Sequence, residues 1–200
     1  FKISLKYLSF MPRDRFLQRK TAVLSKLDKS SIGGWDNRIK PLCDKINGLD
    51  DFYTTSSCSG RIILMIQQNK KGKDLFLKTW HEKVFFDELN ETLNILLNKK
   101  EIIKFKVEPP IIHIACRDLK KATYLLEKAK YVGFKRSSIL TCDKNIILEL
   151  NSSDRMEFPI IKNNKVLVNE EFLKLALEMS NYKLERGWEK IKLLDKKLVA

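Results

Sequence analysis

The sequence lacks the motifs that name a nucleotide site, a metal site or a membrane anchor directly. It has no GxxxxGK[ST] phosphate loop, no GxGxxG motif after a strand, and no apolar run of transmembrane length. Its seven glycines are scattered along the chain, which excludes a Rossmann nucleotide fingerprint. Two histidines and no CxxC pair exclude a His-rich or cysteine-clamped metal site. We therefore expect neither a metal nor a membrane partner.

Cysteine usage indicates a reducing compartment. The four cysteines stand alone at positions 43, 58, 116 and 142, and the N-terminal residues lack the apolar core and cleavage site of a signal peptide. Because lone thiols without an export signal are typical of reducing surroundings, we expect a cytoplasmic protein. Met11 is a second candidate start, which would make the first ten residues a leader; the possible leader is drawn at residues 1–12.

Positive charge is abundant and spread along the chain. Lys and Arg number 39 against 25 acidic residues, a formal net charge of +14. A broadly basic surface favours a polyanion such as RNA, DNA or an acidic membrane, although solubility alone is the competing explanation. We weigh nucleic acid above that explanation.

Hydrophobic periodicity predicts an α+β fold with a mixed, largely antiparallel sheet, flanking helices and a long C-terminal helix. We expect residues 1–200 to form one domain and one monomer, with a basic helix over 170–199. The predicted helices cover 13–28, 36–48, 87–97, 118–133 and 172–198, with Asp36 as an N-cap; the predicted strands cover 62–66, 75–83, 102–107, 111–116, 138–142, 145–150 and 156–161. The basic outer face of the last helix would hold Lys183, Arg186, Lys190, Lys192, Lys196 and Lys197.

One short segment concentrates polar chemistry. Residues 53–61 read YTTSSCSGR and run directly into the apolar stretch 62–66. Hydroxyls, backbone N–H groups and an arginine suit an anionic or polar ligand, and Gly60 permits a close backbone approach or a sharp turn. A Ser/Thr-rich turn with a solvated arginine is the alternative that composition leaves open.

Three roles compete for Cys58: a nucleophile paired with a histidine, a pocket-lining residue, or a buried thiol. His81, which follows Trp80, and His113, within an apolar strand, are either hydrogen-bonded structural residues or groups that take up a proton near neutral pH. Arg117 either binds phosphate or pairs with Asp118, and Trp80 either stacks on a base or belongs to the core.

The chain resembles the tRNA wybutosine-synthesising protein 3 family in its archaeal form. Matching elements extend from about residue 16 to residue 189, and the serine–cysteine motif is the specific one. They are Leu24-Ser25-Lys26 with Asp28, Ser30, Gly34 and Asp36; the segment Tyr53 to Ile62; Trp80-His81; His113 with Cys116-Arg117-Asp118; Gly133-Phe134-Lys135 with Ser137 and Ile139; and Glu157 with Pro159. Ser138 departs from the glycine expected at that position, which puts a close ligand approach there in question.

The resemblance implies methyl transfer from S-adenosylmethionine, without the usual Rossmann methyltransferase core. The substrate would be an imidazopurine precursor of wyosine or wybutosine at position 37 of tRNA-Phe, methylated at N4 and presented by the anticodon stem-loop. His81 and His113 become candidate catalytic bases. Ser56, Ser57, Cys58, Ser59, Gly60 and Arg61 become candidates for cofactor binding, and Thr55, Trp80, Arg117, Lys26 and Asp28 candidates for substrate binding.

Two further classes remain open at this point. A non-catalytic RNA-binding module would explain the charge and the aromatic residues, but not a compact polar motif with two histidines at strand positions. A cysteine-dependent hydrolase or transferase would need Cys58 as its nucleophile and no adenosyl cofactor.

Overall fold

The computed structural model describes residues 14–26, 36–68, 75–143 and 145–198. Five helices and nine strands lie within these residues. In chain order they are α1 (Arg15–Leu24), α2 (Lys40–Gly48), β1 (Phe52–Cys58), β2 (Arg61–Ile66), β3 (Phe76–Trp80), α3 (Phe86–Leu96), β4 (Ile103–Glu108), β5 (Ile111–Cys116), α4 (Leu119–Tyr131), β6 (Ser138–Cys142), β7 (Ile146–Asn151), β8 (Met156–Lys162), β9 (Lys165–Val166) and α5 (Glu170–Lys197).

The strands form two antiparallel sheets, which confirms the α+β class. Four strands pair in the order β1-β5-β7-β6, and five pair in the order β3-β2-β4-β8-β9. Every strand pair is antiparallel. The buried apolar side chains of both sheets belong to one cluster, so the sheets share a hydrophobic core.

The two sheets meet where three strands of one sheet continue into strands of the other. Residues 59–60 carry β1 into β2, residues 109–110 carry β4 into β5, and residues 152–155 carry β7 into β8. Pairing resumes across this junction, since Cys58 pairs with Ile111 and Arg61 pairs with Glu108. We call the three crossing segments the seam.

Two glycines allow the seam to pack closely. Gly60 has φ +106°, and a Cβ there would lie 3.2 Å from the carbonyl oxygen of Glu108 and 3.3 Å from a methyl group of Leu184. Gly187, inside α5, lies so close to Pro110 that a Cβ would be 2.6 Å from its ring. Both positions need glycine because protein atoms already fill the space of a side chain.

Helix α5 covers the seam and is held there by a buried ion pair. Lys190 donates to the carboxylate of Asp154, and both side chains are buried. Burial alone would raise the pKa of Asp154, but hydrogen bonds from Lys190 and Ser152 outweigh it and lower that pKa. Placing Lys190 on the outer basic face was therefore wrong. None of the described helices is long and apolar enough to cross a membrane.

The structure decides one open alternative at the polar motif and overturns one expectation beside it. Residues 52–58, for which composition left a Ser/Thr-rich turn open, form strand β1, which pairs with β5 around a bulge at Thr55. Helix α2 begins at Lys40 with Ile39 at its N-cap. Asp36 instead precedes the helix, where its backbone carbonyl accepts from Ile39 and Lys40. The side chain of Asp36 is thereby left to reach the seam.

Candidate active site

Strand β1 presents its polar side chains on two opposite faces. In a strand, residues two apart point the same way and lie roughly 6.6 Å apart, so Ser56 and Cys58 share one face. Ser57 points to the other face, where it contacts the thiol of Cys43 on α2. Strand geometry therefore divides the motif from Ser56 to Cys58, whereas the bulge at Thr55 leaves Thr55 and Ser56 both exposed beside His113.

A row of three polar side chains crosses the first sheet at Ser56. Antiparallel register places Ser56 opposite His113, and His113 opposite Glu149. Oγ of Ser56 lies 2.7 Å from Nδ1 of His113, and Nε2 of His113 lies 3.0 Å from Oε2 of Glu149. The side chains of His113 and Glu149 are 29% and 20% exposed, so the row is accessible to a ligand.

Glu149 is held in its ionised form. Burial raises the pKa of this carboxyl, but hydrogen bonds from Asn151 and His113 outweigh burial and lower it. The amide of Asn151 donates to Oε1 at 3.0 Å, which leaves Oε2 to accept from His113. No motif in the sequence singled out Glu149. Its position two residues before Asn151, on a strand facing His113, becomes significant only through sheet register.

A second group of side chains surrounds Cys58 at the seam. Nδ1 of His81 lies 3.9 Å from Sγ of Cys58 and 4.0 Å from Oδ2 of Asp36. The same Asp36 oxygen accepts from the backbone N–H of Ser59 at 3.1 Å. Burial lowers the pKa of His81, although Asp36 opposes this shift. His81 is thus a neutral imidazole near pH 7.

The thiol of Cys58 is not activated. Burial raises the pKa of Cys58, and the hydrogen bond from Gly60 and the charge of Arg61 do not reverse that shift. Because the thiolate is the nucleophile in cysteine chemistry, a protonated Cys58 is poorly suited to attack. The geometry favours a pocket-lining role.

Arg61 extends this second group. It forms an ion pair with Oε2 of Glu108 at 2.7 Å, and Glu108 also pairs with Lys106 at 2.7 Å. Two cations thus share one carboxylate, and one positive charge is left to attract an anionic group. Such an arrangement suits a ligand carboxylate or phosphate.

The remaining predicted cofactor residues are buried in the seam. Ser59 is fully buried, and its hydroxyl has no hydrogen-bond partner among the described atoms. The Cα of Gly60 packs against protein, so the need for glycine there comes from packing and a positive φ. These contacts argue against a direct ligand contact at the Cα of Gly60.

The predicted substrate residues do not gather in one place. Trp80 is 7% exposed and donates its Nε1–H to Glu88, which argues against stacking on a base. Arg117 pairs with Asp14, which precedes α1, and with Asp51, which precedes β1. Its charge therefore links the starts of these two elements. Its predicted alternative partner, Asp118, instead caps α4.

Two of the other substrate candidates remain accessible. Thr55 is exposed and donates to the backbone carbonyl of His113 at 3.3 Å. Lys26 is exposed just after α1, and Asp28 lies outside the described residues. Ser138 faces Glu149 across the sheet in an extended strand. No group of three His, Cys, Asp or Glu side chains in the described ranges is arranged to hold a metal.

The comparisons with known proteins concern the chain as a whole. A model of the family described as methyltransferase TYW3 matches residues 18–200. The chain belongs to this methyltransferase family. The resemblance drawn from the sequence is therefore confirmed, and the two antiparallel sheets of the described residues do not form a Rossmann core.

Relatives of known name share most of their length with the chain. A Methanocaldococcus jannaschii protein named tRNA(Phe) 7-((3-amino-3-carboxypropyl)-4-demethylwyosine(37)-N(4))-methyltransferase is 39% identical over 180 residues, covering 87% of this chain and 92% of the relative. A Thermococcus sibiricus protein of the same name is 35% identical over 182 residues, covering 90% and 91%. A solved structure from Pyrococcus horikoshii superposes with a TM-score of 0.82 at 34% identity, covering 92% and 96%.

Proposed function

We propose that this TYW3-family protein transfers a methyl group from S-adenosylmethionine to N4 of the 4-demethylwyosine derivative at position 37 of tRNA(Phe). The observation that carries this proposal is the shared face of Ser56 and Cys58, with His113 beside one and His81 beside the other. The names of the relatives supply the substrate class.

The seam fits the methyl donor. Arg61 and Lys106 share Glu108, so the excess positive charge suits the carboxylate of the donor. Asp36 offers a carboxylate that is 12% exposed, a group that accepts hydrogen bonds from a ribose or an ammonium. The hydroxyl of Ser59 is buried without a partner beside these groups. When bound, the donor supplies an electrophilic methyl group.

Positioning is the main task of the remaining residues. Displacement at a methyl carbon needs the attacking nitrogen to be aligned with the donor. Correct alignment alone can lower the activation free energy by up to about 7–11 kcal/mol. The open face of β1 lies beside the seam, so a base splayed out of the anticodon loop would meet His113 there. Enzymes that modify bases require such extrusion from the stack.

A broadly basic surface would bind the anticodon stem-loop through its phosphates. On α5, Lys192 and Lys196 are exposed, whereas Lys190 is committed to Asp154. Contacts of lysine with phosphate give affinity that falls steeply with salt. We expect the monomer to suffice for this binding and the protein to work in the cytoplasm.

The competing classes explain fewer observations. A pure RNA-binding module has no use for an ionised Glu149 that holds an imidazole, nor for a neutral His81 beside a thiol. A cysteine nucleophile conflicts with the raised pKa of Cys58. The hydroxyl of Ser56 also lies closer to the imidazole of His113 than the thiol of Cys58 lies to that of His81.

The test combines cofactor binding with methyl transfer. Calorimetric titration with S-adenosylmethionine should give saturable one-to-one binding that Arg61→Ala weakens and Arg15→Ala, an exposed arginine of α1, leaves unchanged. Labelled methyl should pass to tRNA(Phe) that carries the 4-demethylwyosine derivative and not to the same tRNA with guanosine at position 37. Binding of tRNA without any binding of the donor would instead favour the RNA-binding module.

A further inference from the structure

The row Ser56–His113–Glu149 has a defined direction. Glu149 is anchored on both oxygens, with Asn151 donating to Oε1 and His113 facing Oε2. Asn151 is itself 3% exposed and held in the sheet. The carboxylate is therefore the fixed end of the row, and Ser56, which is exposed on the edge strand β1, is the end that a ligand can reach.

The protonation pattern follows from this order. An ionised carboxylate only accepts hydrogen bonds, so Nε2 of His113 carries a proton and donates it to Glu149. In a neutral imidazole the other nitrogen, Nδ1, then holds a free electron pair. Nδ1 accepts the hydroxyl proton of Ser56 at 2.7 Å. The basic nitrogen of His113 thus faces Ser56 and not open solvent.

We propose that these three residues form a proton relay in which Ser56 takes the proton of the substrate nitrogen while passing its own to His113, and Glu149 acts as a positioning residue. This proposal rests on the proposed function. It assigns a role to Glu149, and it moves Ser56 from the predicted cofactor-binding set to the substrate side.

The step balances in atoms and electrons. The electron pair of the substrate nitrogen forms the new bond to the methyl carbon, and the carbon–sulfur bond of the sulfonium donor breaks with its pair left on sulfur. The substrate proton moves to the oxygen of Ser56, whose own proton moves to Nδ1. The resulting imidazolium is stabilised by the ionised Glu149, which is itself not protonated.

His81 lacks an equivalent arrangement. The carboxylate beside it, Oδ2 of Asp36, lies 4.0 Å from the same nitrogen that approaches Cys58. That Asp36 oxygen already accepts from the backbone of Ser59. Among the described residues, His113 is therefore the histidine with a carboxylate on one nitrogen and a hydroxyl on the other.

Single-turnover kinetics at saturating donor, measured across a range of tRNA concentrations, test the relay. Glu149→Gln keeps the shape of the side chain and removes its charge, and Ser56→Ala removes the hydroxyl. Each should slow methyl transfer by about 10–100-fold, with the KM for tRNA unchanged. Because both act through one imidazole, the double variant should be about as slow as the slower single variant, not the product of the two effects.

Matched variants separate the relay from simple damage to the sheet. Ser138→Ala removes a hydroxyl outside the relay, on the strand β6 position paired with Glu149, and Glu157→Gln neutralises a glutamate on the other sheet; both should retain the wild-type rate. Ser56→Thr should restore most of the activity because it keeps a hydroxyl. Multiplicative losses in the double variant, or a raised KM with an unchanged rate, would overturn the relay.

Nitrogen NMR of histidine-labelled protein tests the tautomer without any reaction. At a pH where its ring is neutral, His113 should show a protonated Nε2 and an unprotonated Nδ1; the reverse tautomer would overturn the relay. Wild-type protein that transfers no methyl group would overturn the proposed function and the relay together. An active wild type with equally active Ser56→Ala and Glu149→Gln variants would overturn the relay alone.

Discussion

The two histidines flank the same strand but occupy different environments. His113 lies on the accessible face of the first sheet, between the hydroxyl of Ser56 and the ionised carboxylate of Glu149. His81 follows β3 at the seam, beside a protonated thiol, and burial lowers its pKa. The difference teaches that a histidine acting as a base needs a partner that stabilises the positive charge it gains on protonation. His113 has such a partner aligned with it, whereas His81 is suited to remain neutral against a ligand.

The largest expected effect comes from removing each imidazole in turn. His113→Ala should slow single-turnover methyl transfer by about 10²–10⁴-fold, the usual contribution of general acid–base catalysis, with unchanged calorimetric affinity for S-adenosylmethionine. His81→Ala should mainly weaken that affinity, by about tenfold if one hydrogen bond is lost, and should leave the saturated rate within a few-fold. An exchange of these two patterns would reverse the roles assigned to the histidines.

The next largest effect is expected at residues 59–60, where β1 continues into β2 and Cys58 comes to lie beside His81. Gly60→Ala should lower the free energy of unfolding by about 1–3 kcal/mol, because alanine is strained at positive φ. Urea denaturation followed by circular dichroism measures this. Gly48→Ala is the matched control, since a Cβ at Gly48 meets nothing within 4 Å. Equal stability of the two variants would show that the seam tolerates a side chain at Gly60.

The free energy of unfolding should depend on pH differently in the wild type and in a variant that lacks His81. The pKa of His81 is lowered in the folded protein, so protonation favours the unfolded chain. Wild-type stability should therefore fall as the pH drops below about 6.5, the ordinary histidine value. His81→Gln should lack that part of the decline. The free energy of unfolding of both proteins, measured from pH 7.5 to pH 5, checks this, and identical profiles would contradict it.

The smallest expected effect lies away from both histidines. Lys192→Ala and Lys196→Ala, on the exposed side of α5, should each reduce the slope of log affinity against log salt by about 1 if each contacts a phosphate. Filter binding of tRNA(Phe) across salt concentrations measures the slope. Lys174→Ala, on the same helix but paired with Glu170, is the control. Unchanged slopes in both variants would place the RNA on another surface.

Local signals in the sequence were sufficient for most elements. The start of α4, capped by Asp118, and strand β6 at Ser138–Cys142 lie where the sequence predicted a helix from residue 118 and a strand over 138–142. The polar motif was left undecided, because its run of Thr and Ser allowed a turn, and it forms strand β1. Hydroxyl-rich sequence is compatible with either state, and pairing with β5 decides between them.

Only part of the candidate site could be predicted from the sequence. Ser56 and Cys58 each lie beside a histidine, an arrangement that the sequence left open. Ser57, a predicted cofactor residue, lies on the face opposite Ser56 and contacts Cys43, because alternation applies once the segment is a strand. Asp36 was assigned to a helix cap, and Glu149 was missed, because their partners are 23 and 36 residues away along the chain.

The sequence by itself determined the class of fold, the family and the residue types available for chemistry, since composition, periodicity and motif spacing are local properties. Tertiary structure alone decided which of those residues work together. Cross-strand register aligned Ser56, His113 and Glu149 in one row, and a glycine crossing between two sheets set Cys58 beside His81. Hydrogen bonds and burial then set the charge of Glu149 and the neutrality of His81, because both depend on neighbours that only folding brings near.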